Sequence, residues 1–417
     1  MSSSKTPTPL SRPDDRVPRA RSGSSARSDP AGRRGRGIGM LASVAILSGC
    51  ATSHGMMQER PGGWCPDRPA PVWGPEGADR GSGPSLNWIS PLDEGDRRDH
   101  ATWCEAVGPS VVELEPAPVY EETRNDPEPE EAELVVVAWN AWIGAGDVDA
   151  FMRDHLGVSC SENGPELRDG FAPFVLLLQE VHRRSSLVPD AAPGAPVPWL
   201  IEPPREPHME MGIVEVARRC GLSIVYIPSA RNGWEGEGPL SEDKGNAILS
   251  SLPLRQPTGI ELPFEAGRKV AIGAYVELGT GADPLRVDLT SVHFDVASTL
   301  VRTVLTGNQT RHRQAGGLLE GMELAGLSDH ALVAGGDFNT WSSRDGSLKR
   351  MSRALPDSPP LSPEGTRGPF PTDHLFFRSD PDGLLKIVPG SYERIEDTYG
   401  SDHNPRLFRL RVGPGRG

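Results

Sequence analysis

Leu332-Val333-Ala334-Gly335-Gly336-Asp337-Phe338-Asn339 is a short apolar run, closed by two glycines and followed by an acid and an amide two positions apart. A run of this length and composition reads as a strand buried on both faces. On extended backbone, residues two apart face the same side, so Asp337 and Asn339 would present their side chains together. The same arrangement recurs elsewhere. Asn140 follows the apolar run Leu134 to Trp139, Gln179-Glu180 follow Phe174 to Leu178, and His293 closes Arg286 to His293. Ser223 to Ile227, Ala247 to Ser250, Ala271 to Glu277 and His374 to Phe377 are further strand candidates. Val148 to His155, Gly212 to Cys220 and Ser298 to Leu324 carry helical patterns between them. Strands alternating with helices define the α/β class. Active sites of such proteins gather where a rigid sheet holds side chains at its strand ends, and four polar strand ends are candidates to converge.

Seven segments stand in order along the chain. They are Trp139-Asn140, Leu178-Gln179-Glu180-Val181, Gly245-Asn246-Ala247-Ile248-Leu249-Ser250, Ser291-Val292-His293-Phe294, Gly336-Asp337-Phe338-Asn339, Thr372-Asp373-His374-Leu375-Phe376 and Ser401-Asp402-His403-Asn404-Pro405. Together they resemble the motifs of the endonuclease/exonuclease/phosphatase superfamily. Arg311-His312-Arg313-Gln314-Ala315 resembles the helix that precedes the Asp-Phe-Asn motif. The resemblance covers about Glu133 to Leu410. It implies a four-layered sandwich of two mixed β-sheets flanked by helices, with the catalytic cleft along one edge. It also implies a metal-dependent hydrolase of phosphate esters: a phosphodiesterase or phosphatase, a nuclease or a phospholipid-headgroup hydrolase.

Hydrolysing a phosphate ester calls for charge neutralisation, an activated water and a proton for the leaving oxygen. Mg²⁺ is a hard ion that takes oxygen ligands. By the resemblance, Glu180, Asn140 and Asp402 would hold Mg²⁺, with Mn²⁺ or Ca²⁺ as alternatives. Asp337 and Asn339 would orient the attacking water or the phosphoryl oxygens. His403, its other nitrogen held by Asp373, would act as general base or stabilise the phosphoryl group. His293 would contact the phosphate or protonate the leaving group, and Asn246 would bind substrate. Arg231, Lys244, Arg268 and Lys269 are candidate phosphate contacts, although such charges more often stand in solvent. His374 and His182 read as neighbours of the site.

Composition narrows the partners. The chain has 417 residues and a formal net charge of -14. Polyanion binders carry basic surfaces, so this balance stands against tight nonspecific nucleic-acid binding. Nucleic acid, phospholipid and small phosphomonoesters remain as substrates, and the chain reads as a monomer. A Gly-x-Ser-x-Gly elbow between strand and helix is missing from the sequence, which disfavours a serine hydrolase. The competing reading is a catalytically silent surface lipoprotein that uses the same fold for binding.

The 48 glycines and 42 prolines point to long loops. Residues 1–49 read as a disordered Ser/Pro/Arg-rich stretch and a signal peptide. Arg33-Arg34-Gly35-Arg36 is its basic region, and Ile38 to Leu47 is an apolar run of roughly ten residues, where a bilayer span needs about 20. Leu47-Ser48-Gly49-Cys50 resembles a bacterial lipobox, which implies cleavage before Cys50, lipidation of its thiol and anchoring to the cell envelope; Ala51, in place of an Asp after the lipidated Cys, favours the outer membrane. Export favours disulfides among the remaining cysteines, with Cys65–Cys104 and Cys160–Cys220 as the expected pairs. Residues 50–130 read as a partly ordered Pro/Gly/Trp-rich segment ending in an acidic linker, and 131–412 as the catalytic domain.

Overall fold

The computed structural model of the protein describes residues 86–104, 107–122, 132–186, 188, 211–232, 242–265, 267–279, 284–296, 307–327 and 329–413. All of them belong to one of two units, 59–417; the other, 1–58, contains no described residue. The lipidation expected at Cys50 and the Cys65–Cys104 pair therefore lie outside the described residues. Among those residues, no helix is long and apolar enough to cross a membrane.

Two mixed sheets dominate, with strands numbered along the chain. The smaller contains β1 (Asn87–Ile89), β9 (Arg255–Glu261), β10 (Val270–Leu278), β11 (Leu285–His293), β12 (Ala331–Asp337) and β13 (Asp373–Arg378), in that spatial order. The larger runs β14 (Leu385–Ile387), β16 (Arg406–Val412), β3 (Glu133–Asn140), β6 (Phe174–Arg184), β8 (Glu242–Ser250), β7 (Ser223–Asn232) and β2 (Val111–Glu113), with β15 (Glu393–Arg394) beside β16. The pairs β3–β6 and β11–β12 are parallel. The two short strands β4 (Val158–Ser161) and β5 (Gly164–Leu167) form a separate hairpin.

The apolar runs follow from double-sided burial. Along β3, Leu134, Val136 and Ala138 point into a core shared with Ile272, Leu289 and Val333 of the smaller sheet. Val135, Val137 and Trp139 point the other way, into a core that includes Ile213 and Ala217 of the helix Ile213–Arg219. Alternation with period two thus sends every residue of the run into apolar surroundings. On the far side of the smaller sheet, Leu332 and Ala334 pack with Ala315, Leu318 and Met322 of the helix Gly307–Leu324 and with Leu348 and Met351 of the helix Gly346–Ala354. The helix expected over Ser298 to Leu324 starts at Gly307 among the described residues.

The segment 50–130, expected to be partly ordered, contributes described residues to both sheets. β1 runs parallel to β9, and β2 lies antiparallel to β7. The helix Glu94–Cys104 is fastened by His100, whose Nδ1 lies 2.7 Å from Glu261 Oε2, and Arg268 Nη2 donates to the same carboxylate at 2.8 Å. Burial alone would raise the Glu261 carboxyl; Arg268 and His100 outweigh it and hold the group at about 2, against an ordinary 4.5. A depressed carboxyl contributes stability that is present above the ordinary value and lost as pH falls through the folded one. Wild-type stability is therefore expected to drop by on the order of 3 kcal/mol between about pH 4.5 and pH 2 from this group alone. Urea titrations across that interval check it: the drop should be smaller in Glu261→Gln, and equal slopes in both proteins would refute the assignment.

Cys160 on β4 is disulfide-bonded to Cys220 at the end of the helix Ile213–Arg219. Closing a loop of this sequence separation, 60 residues, is worth about 4 kcal/mol in the chain-entropy limit.

Candidate active site

Strand register brings the polar ends together. In the smaller sheet His293 is the register partner of Asp337, and Asp337 of Asp373, so three site residues stand side by side on three neighbouring strands. In the larger sheet Asn140 pairs with Gln179. A bulge between Leu178 and Val181 follows at once, and Glu180 within it has φ 52. The left-handed region is costly for a glutamate and persists where surrounding structure imposes it. Here the bulge separates Glu180 from the regular alternation of β6. Asn339 is held in the same region, with φ 49.

The two sheets are stitched at this rim. Asn140 Nδ2 donates to Asp337 Oδ2 at 2.9 Å, and Gln179 Nε2 donates to Ser291 Oγ at 3.0 Å. Asp337 Oδ1 accepts from the backbone N–H of Asn339 at 2.7 Å, while Asn339 Nδ2 donates to Phe294 O at 2.7 Å. From Glu180 the site runs as a chain of contacts. His293 Nε2 lies 3.7 Å from Glu180 Oε1 and 3.7 Å from Asp337 Oδ2. His403 Nε2 lies 3.9 Å from Asp337 Oδ2 and 3.6 Å from Asp402 Oδ1. The far nitrogen of His403, Nδ1, sits 2.7 Å from Asp373 Oδ2, and Thr372 Oγ1 donates to the same carboxylate oxygen at 2.9 Å.

Electrostatics separates the two histidines. Burial opposes charge on His403, but Asp373, and then Asp337 and Asp402, outweigh it and lift the imidazole to about 9. His403 is thus a cation at neutral pH. Burial, with Lys269 beside it, pushes His293 well below the ordinary range, so this imidazole is neutral and accepts. Lys269 Nζ stands 3.1 Å from its Nε2. Burial raises Asp337 to about 6, with His403 working in the opposite sense. Burial would also raise Glu180, but the Lys244 ammonium beside it outweighs this and brings it down to about 2.

Most of the expected residues meet here, and some in roles other than those expected. Asn140 faces Asp337 through its amide nitrogen, while its carbonyl oxygen accepts from Trp142 N at 2.9 Å; as placed, it orients Asp337. Asn246, expected to bind substrate, is buried and donates through Nδ2 to Val270 O at 2.8 Å, which ties β8 to β10. Asp402 is paired with Arg367 at 2.8 Å. Arg268, a candidate phosphate contact, is spent on Glu261. The side chain of Arg231 lies outside the described residues. His374 is a neighbour, its Nε2 2.8 Å from Pro371 O. Lys244 and Lys269, by contrast, reach the site. Thr366 and Thr372, which brace Asp373, and Ser401, whose Oγ accepts from His403 N at 3.0 Å, carry no signal in the sequence that would single them out.

The oxygen-rich donor set fits a hard divalent cation. Glu180, Asp337 and Asp402 offer carboxylates, and Asp402 Oδ1 is buried without a hydrogen-bond partner. Asp337, Asp373 and His403 bring ligand atoms within 4.8 Å of one another. A second cluster, Asp149 with Cys160 and Cys220, does not fit, because both sulfurs are taken up by the disulfide.

Fold and rim together define an α/β protein with a buried acid–imidazole cluster where strand ends of its two mixed sheets meet. The model of the endonuclease/exonuclease/phosphatase family matches residues 137–403, and the chain belongs to this family. Membership supports phosphoester hydrolysis as its general chemistry, and enzymes of the family usually use divalent metal ions. Solved structures similar to the chain include the catalytic domain of human Nocturnin with bound sulfate, at 15% identity and TM-score 0.43 over 67% of this chain and 94% of that one. An endonuclease/exonuclease/phosphatase from Beutenbergia cavernae matches at 16% and 0.44, over 68% and 72%. Sphingomyelinase C from Streptomyces griseocarneus matches at 15% and 0.37, over 68% and 99%. No curated protein matches the chain.

Proposed function

We propose that the protein is a Mg²⁺-dependent phosphoric ester hydrolase acting outside the cytosol as a monomer, tethered to the outer membrane through a lipid on Cys50. The observation that carries the catalytic reading is the meeting of Glu180, Asp337 and the Asp373–His403 pair at one rim, from strands of two different sheets and the bend before β16. The lipid tether rests on the Leu47-Ser48-Gly49-Cys50 segment.

Glu180 and Asp402 would hold the metal, and Asn140 would act beside them by fixing Asp337. When bound, a divalent cation neutralises charge on phosphoryl oxygens. The chain's own groups do the rest. Cationic His403, oriented by Asp373 through Nδ1, points Nε2 into the site to donate to a phosphoryl oxygen. Asp337, held by Asn140 and the Asn339 N–H, is placed to take a proton from the attacking water. His293, with Lys269 Nζ 3.1 Å from its Nε2, would contact the phosphoryl group or the leaving oxygen.

Hydrolysis of p-nitrophenyl phosphate esters by the purified domain tests this. Activity is expected with Mg²⁺, should fall to background in EDTA, and should return when Mg²⁺ is restored. Full activity in EDTA would refute the metal dependence, and inactivity across a broad ester panel would refute the hydrolase.

A further inference from the structure

Two ammonium groups stand on the Glu180 side of the rim. Lys244, near the start of β8, places Nζ 3.6 Å from Glu180 Oε1. Lys269, just before β10, places Nζ 3.1 Å from His293 Nε2. Among the described residues no carboxylate lies within 4.0 Å of Lys269 Nζ. The protein as a whole carries a net charge of -14, so this local surplus of cations is not part of a general basic surface. Lys244 is buried and Lys269 half-buried. Charge withdrawn from water is costly unless a counter-ion meets it. Glu180 is the carboxylate partner of Lys244, and among the described residues none meets Lys269, which leaves an anion wanting on this wall.

The kind of phosphate that satisfies two ammoniums differs from the kind that satisfies one. A phosphomonoester is close to dianionic at neutral pH and presents three acceptor oxygens. A diester carries one charge, and two of its oxygens are esterified. We propose that Lys244 and Lys269 form a clamp for a terminal phosphate, making phosphomonoesters rather than phosphodiesters the substrate class of this site. This rests on the hydrolase reading above and narrows it.

Two measurements test the clamp separately from that reading. The first compares p-nitrophenyl phosphate with bis-p-nitrophenyl phosphate in the presence of Mg²⁺. Wild type should favour the monoester in kcat/KM by at least about tenfold. Lys269→Met and Lys244→Met should each shrink that ratio by about tenfold or more, the size expected for a lost hydrogen bond to a charged group. Lys269→Arg should retain it. A wild-type preference for the diester, or an equal loss on both esters, overturns the clamp. The second titrates inorganic phosphate and dimethyl phosphate into EDTA-treated wild-type protein by calorimetry and needs no variant to fold. Tighter binding of inorganic phosphate supports the clamp; equal binding, or none, overturns it. If neither ester is cleaved, the hydrolase reading fails while the calorimetric comparison still decides the clamp.

Discussion

Asp337→Asn is expected to lower kcat/KM on a phosphate ester by about 10³-fold, the scale of losing one acid–base or charge-stabilising group at a reacting centre. The substitution keeps the shape of a side chain that is 1% exposed. It removes the only carboxylate that faces Asn140, His293 and His403 together among the described residues. The fold should survive. Burial raises Asp337 to about 6, so its charge costs folding energy above that pH, and a neutral amide relieves the cost. Melting temperature at pH 8 in EDTA should therefore be unchanged or higher, while activity in Mg²⁺ collapses. A variant retaining a third of wild-type activity would remove Asp337 from the chemistry. One that lost activity only by unfolding would leave its role to packing.

The second large effect comes one residue earlier. Gly336→Ala should destabilise the protein by about 4 kcal/mol or more and abolish activity with it. A Cβ at this position would stand 1.9 Å from Val292 O and 2.9 Å from Gln179 Nε2, on backbone with φ 146. The first clash is with backbone of the paired strand β11, which cannot turn aside. The second is with the side chain that stitches the two sheets through Ser291. Any relief would shift Asp337, the next residue. Gly335→Ala is the internal control. There the Cβ would meet Leu375 Cδ2 at 2.5 Å and Leu177 Cδ1 at 3.0 Å, the tips of side chains that can move. Urea unfolding of both variants separates the cases, and equal losses would show that the carbonyl clash is relieved elsewhere.

The strands read most readily from the sequence were those buried on both faces. β3, β6 and β12 are runs of apolar residues because both sides of each strand meet a core. β9 and β16 are not legible in the sequence for the opposite reason. Arg255–Glu261 carries a proline and several polar residues, and Arg406–Val412 interleaves arginines with its apolar positions. Their stability comes from neighbours on either side in the sheet. The helix Glu94–Cys104 is mostly charged over its first six residues, and the buried contact of His100 with Glu261 that fastens it is visible only in three dimensions. Lys244 and Lys269 read from the sequence as solvated charges. They are site residues because β8 and β10 begin beside Glu180 and His293.

Local chemistry was written along the chain: which strand ends carry carboxylates, amides and imidazoles, and that Asp337 follows two glycines where a close approach is needed. Partnership was not. Whether Asn140 binds a cation or steadies Asp337, and whether Asn246 meets substrate or Val270, depends on the register of one strand against the next and on how two sheets face each other. Those are long-range arrangements, settled when whole apolar faces are buried together, and no short stretch of residues contains them.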